Sequence, residues 1–147
     1  SIHMINFVYF VISRIEFFTQ TAIKFKSKFE FIHKTDEIIL DFNEIKLQRI
    51  VDNNLTNAIK YTLENETIYV VLKVHRADCD LIIESRSAQI LDPQKIFEEY
   101  HREEISKEGF GLGLNLVKRI CNEENVGIKL ESGENWASFT YTFKGVI

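Results

Sequence analysis

Apolar positions along the chain follow two spacings, one typical of helices and the other of strands. From Ile5 to about Lys26, apolar residues recur at positions 8, 11, 12, 15, 18, 22 and 25, which predicts an amphipathic helix. A second helix is predicted to reach about Thr62, with Asp41 or Asn43 as its N-terminal cap. Its apolar side consists of Leu47, Ile50, Val51, Leu55, Ala58 and Ile59.

Six short runs rich in β-branched and aromatic residues are typical of strands. They are Phe29–His33, Ile38–Asp41, Thr67–His75, Cys79–Glu84, Val126–Glu131 and Trp136–Phe143. The turn at Lys34 to Asp36 predicts a hairpin of the first two strands, and Gly133 predicts a hairpin of the last two. Further helices are expected from Pro93 to Tyr100 and from Gly111 to about Asn122. This order predicts an α+β fold, a two-layer sandwich whose mixed sheet is covered by helices on one face.

Composition excludes several classes of protein. The chain has 147 residues, which is the size of one domain. Its net charge of −4 argues against a general nucleic-acid-binding protein. Cys79 and Cys121 are too few for a disulfide framework and form no zinc-binding pattern, so we expect two reduced thiols. The apolar run at Ile5–Ile12 is too short to cross a bilayer.

Glycine placement gives the first candidate for chemistry. Three of the six glycines, Gly109, Gly111 and Gly113, lie within five residues, directly before an amphipathic run at 114–120. This arrangement places bare backbone at a helix N-terminus, where exposed N–H groups and the helix dipole favour a phosphate. A flexible turn ahead of a helix has the same pattern, so the glycines alone leave both interpretations open.

Amide and cationic side chains give the second candidate. Asn57 follows Asn53 by four residues, and Lys60 and Tyr61 come three and four residues later, which puts all four on one helix stripe. An amide oxygen can bind Mg²⁺ while phosphates fill other coordination positions, and the lysine can meet a phosphate. A polar helix edge without any ligand has the same composition, so this interpretation also stays open.

The two motifs together, about 50 residues apart, resemble the catalytic and ATP-binding domain of sensor histidine kinases. That domain belongs to the Bergerat-type ATPase superfamily shared with gyrase, Hsp90 and MutL. The run from Arg49 to Thr62 is similar to the family's N box, Ile96 to Arg102 to its F box, and Gly109 to Lys118 to its G2 box. The resemblance covers roughly residues 28–143. It implies a two-layer α/β sandwich with about five mostly antiparallel strands and about three helices, besides the N-terminal helix.

The resemblance implies a role for each matching residue. Asn57 would bind Mg²⁺, Asn53 would act as a catalytic residue that supports the metal and phosphate site, and Lys60 would contact phosphate and take part in catalysis. The other nucleotide-binding positions would be Tyr61, Ser85, Phe97, Arg102, Gly109, Gly111, Leu112, Gly113 and Leu114. The implied cofactors are ATP and Mg²⁺. Hydrolases of the superfamily carry a glutamate base where this chain has Asn53, so the amide favours transfer of the γ-phosphoryl group to a protein histidine over hydrolysis.

One motif of the family is lost. Its G1 box, Asp-x-Gly-x-Gly, corresponds here to Ser85-Arg86-Ser87-Ala88-Gln89. Replacing the carboxylate that accepts a hydrogen bond from adenine weakens binding by about 1.5–3 kcal/mol. Glu84 is the neighbouring residue, but on a regular strand it faces the opposite side of the sheet. The lid at about residues 101–108 is also short for the family.

Three functional outcomes therefore stay open. The domain binds ATP weakly and acts as a kinase, or it binds nucleotide without useful catalysis. Alternatively, it is a pseudokinase-like domain that regulates its dimer or a phosphatase-dominated sensor through protein contacts.

The resemblance also implies partners outside this sequence. None of His3, His33, His75 and His101 lies in a phosphoacceptor motif, so the acceptor histidine is expected on a separate dimerisation domain within a homodimer. A cognate response regulator is the second expected partner, and nucleic acid is not one. The chain is expected to be a cytoplasmic domain of an inner-membrane sensor, which meets the membrane only through segments outside this sequence.

The predicted domain boundary lies between residues 27 and 28. Residues 1–27 would comprise a tag remnant at Ser1 to Met4 and the N-terminal helix, and residues 28–147 the histidine kinase-like ATP-binding domain. The helix has two interpretations. It is the end of the dimerisation domain, or a helix packed on its own domain, which the sequence slightly favours.

Overall fold

The computed structural model describes residues 3–87 and 112–146. Its helices are α1 (Phe7–Lys24), α2 (Glu44–Tyr61) and α3 (Leu112–Glu124). Its strands are β1 (Met4–Asn6), β2 (Lys28–His33), β3 (Ile39–Asp41), β4 (Thr67–His75), β5 (Asp78–Ser85), β6 (Gly127–Gly133) and β7 (Trp136–Lys144). The helix predicted from Pro93 to Tyr100 lies outside the described residues.

The main sheet has five strands in the order β2-β4-β5-β7-β6. Strands β2 and β4 are parallel, and the other neighbours are antiparallel. Helix α2 lies in the connection between β2 and β4, as parallel neighbours require a crossover. The predicted α+β fold with a mixed, mostly antiparallel sheet is confirmed, and so is the hairpin of β6 and β7.

The predicted hairpin of β2 and β3 is wrong. Strand β3 pairs with β1 in a separate two-stranded sheet, with Met4 opposite Asp41. The segment Met4–Asn6, assigned above to a tag remnant and the start of a helix, is therefore strand β1. A turn signal shows where the chain changes direction, whereas the choice of strand partner depends on burial across the whole domain.

One face of the main sheet packs against the helices. Along β5, Cys79, Leu81 and Ile83 are buried and alternate with more exposed residues, which is the pattern of a sheet covered on one side. Helix α1 adds Phe7, Val8 and Val11 to the same core. Helix α1 thus shares a core with the residues that follow it. The domain boundary at residue 27 stays a sequence-based prediction. In the described part of the chain, no helix combines the length and the hydropathy needed to cross a membrane.

Both cysteines are free and buried. Burial raises the pKa of the Cys79 and Cys121 thiols to about 12. The folded state therefore keeps both protons at pH values where the unfolded chain releases them. We expect the stability present below about pH 9 to fall as pH rises toward 12, by up to about 1.4 kcal/mol per pH unit for each thiol. Urea unfolding at pH 7.5 and pH 10 measures this loss, and the variant Cys79→Ala/Cys121→Ala should show a smaller loss.

Candidate functional site

Helix α2 presents the predicted stripe of polar residues at the border between core and solvent. Its N-terminus is fixed by Asn43, whose side chain accepts a hydrogen bond from the Lys46 backbone N–H at 3.0 Å. Along the stripe, Asn57 is buried with 9% exposure, Asn53 and Tyr61 are half-buried, and Lys60 is exposed. A stripe at this depth can contact both the protein interior and a ligand held against the helix.

The Asn57 amide has a buried hydrogen-bond donor that a ligand could use. Its Nδ2 atom is buried and has no hydrogen-bond partner in the part of the chain that the structure describes. An unpaired buried amide costs about 1–3 kcal/mol of stability. A bound nucleotide and cation satisfy such a group, because the nitrogen donates to an oxygen acceptor while the amide oxygen can bind Mg²⁺. The residues present therefore fit a magnesium–nucleotide ligand.

The glycine motif and the amide stripe meet in space. Gly113 lies in the first turn of α3, and a Cβ atom built on it would stand 3.0 Å from Asn53 Oδ1 and 3.2 Å from Asn53 Cγ. Only a residue without a side chain allows the α3 backbone this close to α2 without displacing the amide. The contact places the N-terminus of a 13-residue helix, with its exposed N–H groups, beside the amide stripe.

Gly113→Ala tests this contact. The added methyl group must push the Asn53 amide by a few tenths of an ångström, so we expect nucleotide affinity to fall about tenfold. Thermal stability should stay close to that of the unchanged protein, because the preference of helices for alanine over glycine, up to about 1 kcal/mol, opposes the cost of displacing the amide. Calorimetric titration and thermal unfolding measure the two effects. Gly127→Ala is the matched control, since its Cβ would meet Thr142 at an ordinary 3.5 Å; equal affinity losses in both variants would contradict the proposed importance of the Gly113 contact.

The other end of α2 is joined to the segment that follows β5. The Arg86 carbonyl accepts hydrogen bonds from the Leu63 N–H at 2.8 Å and the Thr62 hydroxyl at 3.2 Å. The Ser87 N–H donates to the Asn135 carbonyl at 3.1 Å, which ties the same segment to the turn between β6 and β7. The C-terminal end of the amide stripe therefore lies next to the end of β5.

The two candidate residues at the end of β5 face opposite sides of the sheet. Ser85 is half-buried and stands opposite Ala137 of β7. It continues the buried row of Cys79, Leu81 and Ile83, which faces the helices. Glu84 is exposed and belongs to the other face. A hydroxyl, and not the Glu84 carboxylate, is therefore presented on the side where the amide stripe lies.

Two polar contacts that sequence reasoning missed hold α2 in place. Asn54 is buried, donates to the Ile50 carbonyl at 2.8 Å, and accepts a hydrogen bond from the Tyr141 hydroxyl of β7 at 2.8 Å. Burial raises the pKa of Tyr141, so its hydroxyl keeps its proton. On the other side, Asp52 forms a two-pronged ion pair with Arg14 of α1, at 2.8 and 2.7 Å. Asn54 could have been found from the sequence, because it occupies a core position of the helical period.

No cluster of three or more histidine, cysteine or acidic side chains that could hold a metal ion occurs within residues 3–87 and 112–146.

The remaining predicted positions divide into two groups. Leu114 is fully buried against Ile128, Leu130 and Phe139, so its side chain belongs to the core. Leu112 begins α3. Phe97, Arg102, Gly109 and Gly111 lie outside the described residues, as do the predicted lid and the last G1 position, Gln89.

The family follows from comparison with known sequences. The sequence profile of the family described as histidine kinase-, DNA gyrase B-, and HSP90-like ATPase matches residues 42–145. The chain belongs to this family. The match includes α2, the end of β5 and α3, which carry the site.

Within the family, the relatives are sensor kinases. The probable sensor kinase SilS of Salmonella typhimurium is 31% identical over 91 residues, which cover 58% of this chain and 18% of SilS. The sensor histidine kinase YcbM of Bacillus subtilis is 31% identical over 109 residues, 69% of this chain and 35% of YcbM. The matched segments therefore cover about a fifth to a third of the length of these relatives.

The fold matches solved histidine kinase domains. The catalytic domain of histidine kinase ThkA superposes with a TM-score of 0.88 at 20% identity, over 99% of this chain and 96% of that one. ThkA has also been solved in complex with the response regulator protein TrrA. Full-length ShkA in complex with AMPPNP matches with a TM-score of 0.84 at 16% identity, over 99% of this chain and 32% of ShkA.

Proposed function

We propose that this domain binds Mg²⁺–ATP between α2 and the N-terminus of α3 and supplies the γ-phosphoryl group to a histidine on a separate domain. The observation that carries the proposal is the contact of Gly113 with Asn53, which joins a phosphate-favouring helix N-terminus to an amide stripe that contains the unpaired Asn57 nitrogen. The AMPPNP bound by ShkA, which has the same fold, supports a nucleoside triphosphate as the ligand.

Each polar residue of the site has a separate proposed role. Asn57 binds Mg²⁺ through its amide oxygen, Asn53 supports the metal and phosphates, and Lys60 approaches a phosphate from the solvent side. Mg²⁺ supplies charge neutralisation on the phosphates. The protein's contribution is to position the triphosphate and to hold hydrogen-bond donors toward its charge. Asn53 cannot accept a proton as a carboxylate base can, which favours phosphoryl transfer to another protein group over hydrolysis.

The proposed partners lie outside this chain. The phosphoryl acceptor would be a histidine of the dimerisation domain, in a homodimer. The relatives are several times longer than the matched segment, which leaves room for such a domain. A cognate response regulator would take the phosphoryl group next, and the complex of ThkA with TrrA supports a partner of this kind. The whole protein would be an inner-membrane sensor with this domain in the cytoplasm.

Calorimetric titration with ATP and ADP, each with and without Mg²⁺ and up to millimolar nucleotide, tests the nucleotide site. We expect micromolar to low-millimolar binding that depends on Mg²⁺. Phosphotransfer to the dimerisation domain of the full-length protein is the second measurement. Nucleotide affinity that is the same with and without Mg²⁺ would contradict the proposal that Asn57 binds the cation.

A pseudokinase-like regulatory domain is the second candidate. The observation that favours it is the hydroxyl of Ser85 at the end of β5, in the place where the family's G1 box carries an acidic residue. Absence of binding at millimolar nucleotide would favour this candidate, whereas Mg²⁺-dependent binding followed by phosphotransfer would reject it.

A further inference from the structure

The site has two ends of different chemistry. At one end, Gly113 and Asn53 bring the α3 N-terminus to the amide stripe, and Asn57 offers an N–H without a partner among the described residues. These groups suit phosphates and a cation. From Asn53 to Tyr61 the stripe runs eight residues along α2, about 12 Å at 1.5 Å per residue. A nucleotide whose phosphates lie at the first end and which extends along α2 therefore brings its base to the second end.

Hydroxyl groups dominate the second end among the residues that the structure describes. Thr62 donates to the Arg86 carbonyl, Ser85 is half-buried on the helix-covered face, and Ser87 is buried one residue beyond Arg86. The carboxylate next to them in sequence, Glu84, is exposed on the opposite face. On the helix-covered face, a base at this end would therefore meet the Ser85 hydroxyl and not the Glu84 carboxylate.

A hydroxyl group cannot discriminate between the two purine bases as a charged group can. The adenine ring carries a donor amino group at the position where guanine carries a carbonyl acceptor. A carboxylate only accepts and so selects the amino group, while a serine hydroxyl rotates to donate or to accept as the base requires. Selectivity in such sites comes from leaving a buried group unpaired by the wrong ligand, and a hydroxyl group can pair with either base.

We infer that Ser85 makes this site tolerant of the purine base, so that the domain binds ATP and GTP with similar affinity. The inference rests on the proposed function. The substrates of the domain would be purine nucleoside triphosphates that are recognised mainly by their phosphates. The residue at position 85 thus sets how strongly the site discriminates between the two purine bases.

Competition titrations with ATP and GTP in the presence of Mg²⁺ test the inference. For the unchanged protein we expect dissociation constants within about threefold of each other. Ser85→Asp should shift the ratio toward ATP by at least tenfold, because the carboxylate accepts from the adenine amino group and repels the guanine carbonyl. The asparagine of Ser85→Asn has the same shape as the aspartate of Ser85→Asp, but its amide both donates and accepts. Its ratio of ATP to GTP affinity should therefore stay near that of the unchanged protein.

Controls separate this inference from the proposed function. Glu84→Gln changes charge on the opposite face and should leave the ratio unchanged. Tight ATP binding with at least 30-fold weaker GTP binding by the unchanged protein would overturn the inference and leave the proposed function intact. If neither nucleotide binds, the proposed function itself fails. Circular dichroism of Ser85→Asp and Ser85→Asn would reveal whether either variant fails to fold. In that case the ratio of ATP to GTP affinity of the unchanged protein still tests the inference.

Discussion

Replacing Asn57 with alanine is expected to remove Mg²⁺-dependent nucleotide binding while leaving the folded domain as stable as before, or more stable. The amide oxygen is the proposed cation ligand, and loss of a metal contact lowers affinity by about 100-fold, with even indirect contacts costing 10- to 100-fold. Stability should not suffer, because Nδ2 is buried without a partner within the described residues and alanine is the better helix former. Titration with and without Mg²⁺, beside urea unfolding, measures both effects.

Asn54→Ala is the matched control for this prediction, since it lies on the same helix three residues earlier. Its amide makes two hydrogen bonds in the core, so its removal should lower the free energy of unfolding by about 1–3 kcal/mol. The two asparagines are thus expected to give opposite signatures. Unchanged Mg²⁺ dependence in Asn57→Ala would reject Asn57 as the ligand, and a large loss of stability in that variant would show that its amide is structurally paired.

Tyr141→Phe is expected to destabilise the domain by about 1–3 kcal/mol, because it leaves the buried Asn54 Oδ1 atom without its donor. For a domain of this size the midpoint of thermal unfolding should fall by roughly 3–10 °C. Urea unfolding of the purified domain measures the free energy directly.

The double variant Asn54→Leu/Tyr141→Phe is expected to recover most of that stability. Replacing both members of a buried hydrogen bond by apolar groups of similar shape is close to neutral, whereas removing one member leaves the other unpaired. The effects of the two single variants should therefore not add, with a coupling energy of about 0.5–3 kcal/mol in the double-mutant cycle. Additive losses would mean that the hydrogen bond between Asn54 and Tyr141 contributes little to the link between α2 and the sheet.

Local signals in the sequence were sufficient for the elements that carry the site. The period of apolar residues located α2, and Asn43, one of the two predicted caps, is the residue that caps it. The same signals failed for β2 and β3, whose turn was recognised but whose partners were β4 and β1. Strand pairing depends on contacts between distant segments, and a turn residue carries no information about them.

In the candidate site, too, local features could be predicted from the sequence and contacts between distant segments could not. The stripe of Asn53, Asn57, Lys60 and Tyr61 follows from helix geometry alone, because residues three and four apart share a face. The close approach of Gly113 to Asn53, which leaves a Cβ atom only 3.0 Å from Asn53 Oδ1, could not be predicted, since it depends on how α3 packs against α2. The core position of Asn54 could be predicted from the helical period, but its hydrogen bond with Tyr141 could not, because that contact depends on how α2 packs against β7.

The sequence by itself thus determined most of the elements and the face of α2 that carries the polar stripe, which are set by backbone periodicity. Its resemblance to the family, carried by short motifs, implied the loss of an acidic residue at Ser85. The tertiary structure alone decided which strands pair, which amide is left unpaired, and which side of the sheet presents Ser85 rather than Glu84 to the site. Those properties arise from packing between segments far apart in the chain, where burial of apolar surface selects one arrangement among many that are locally acceptable.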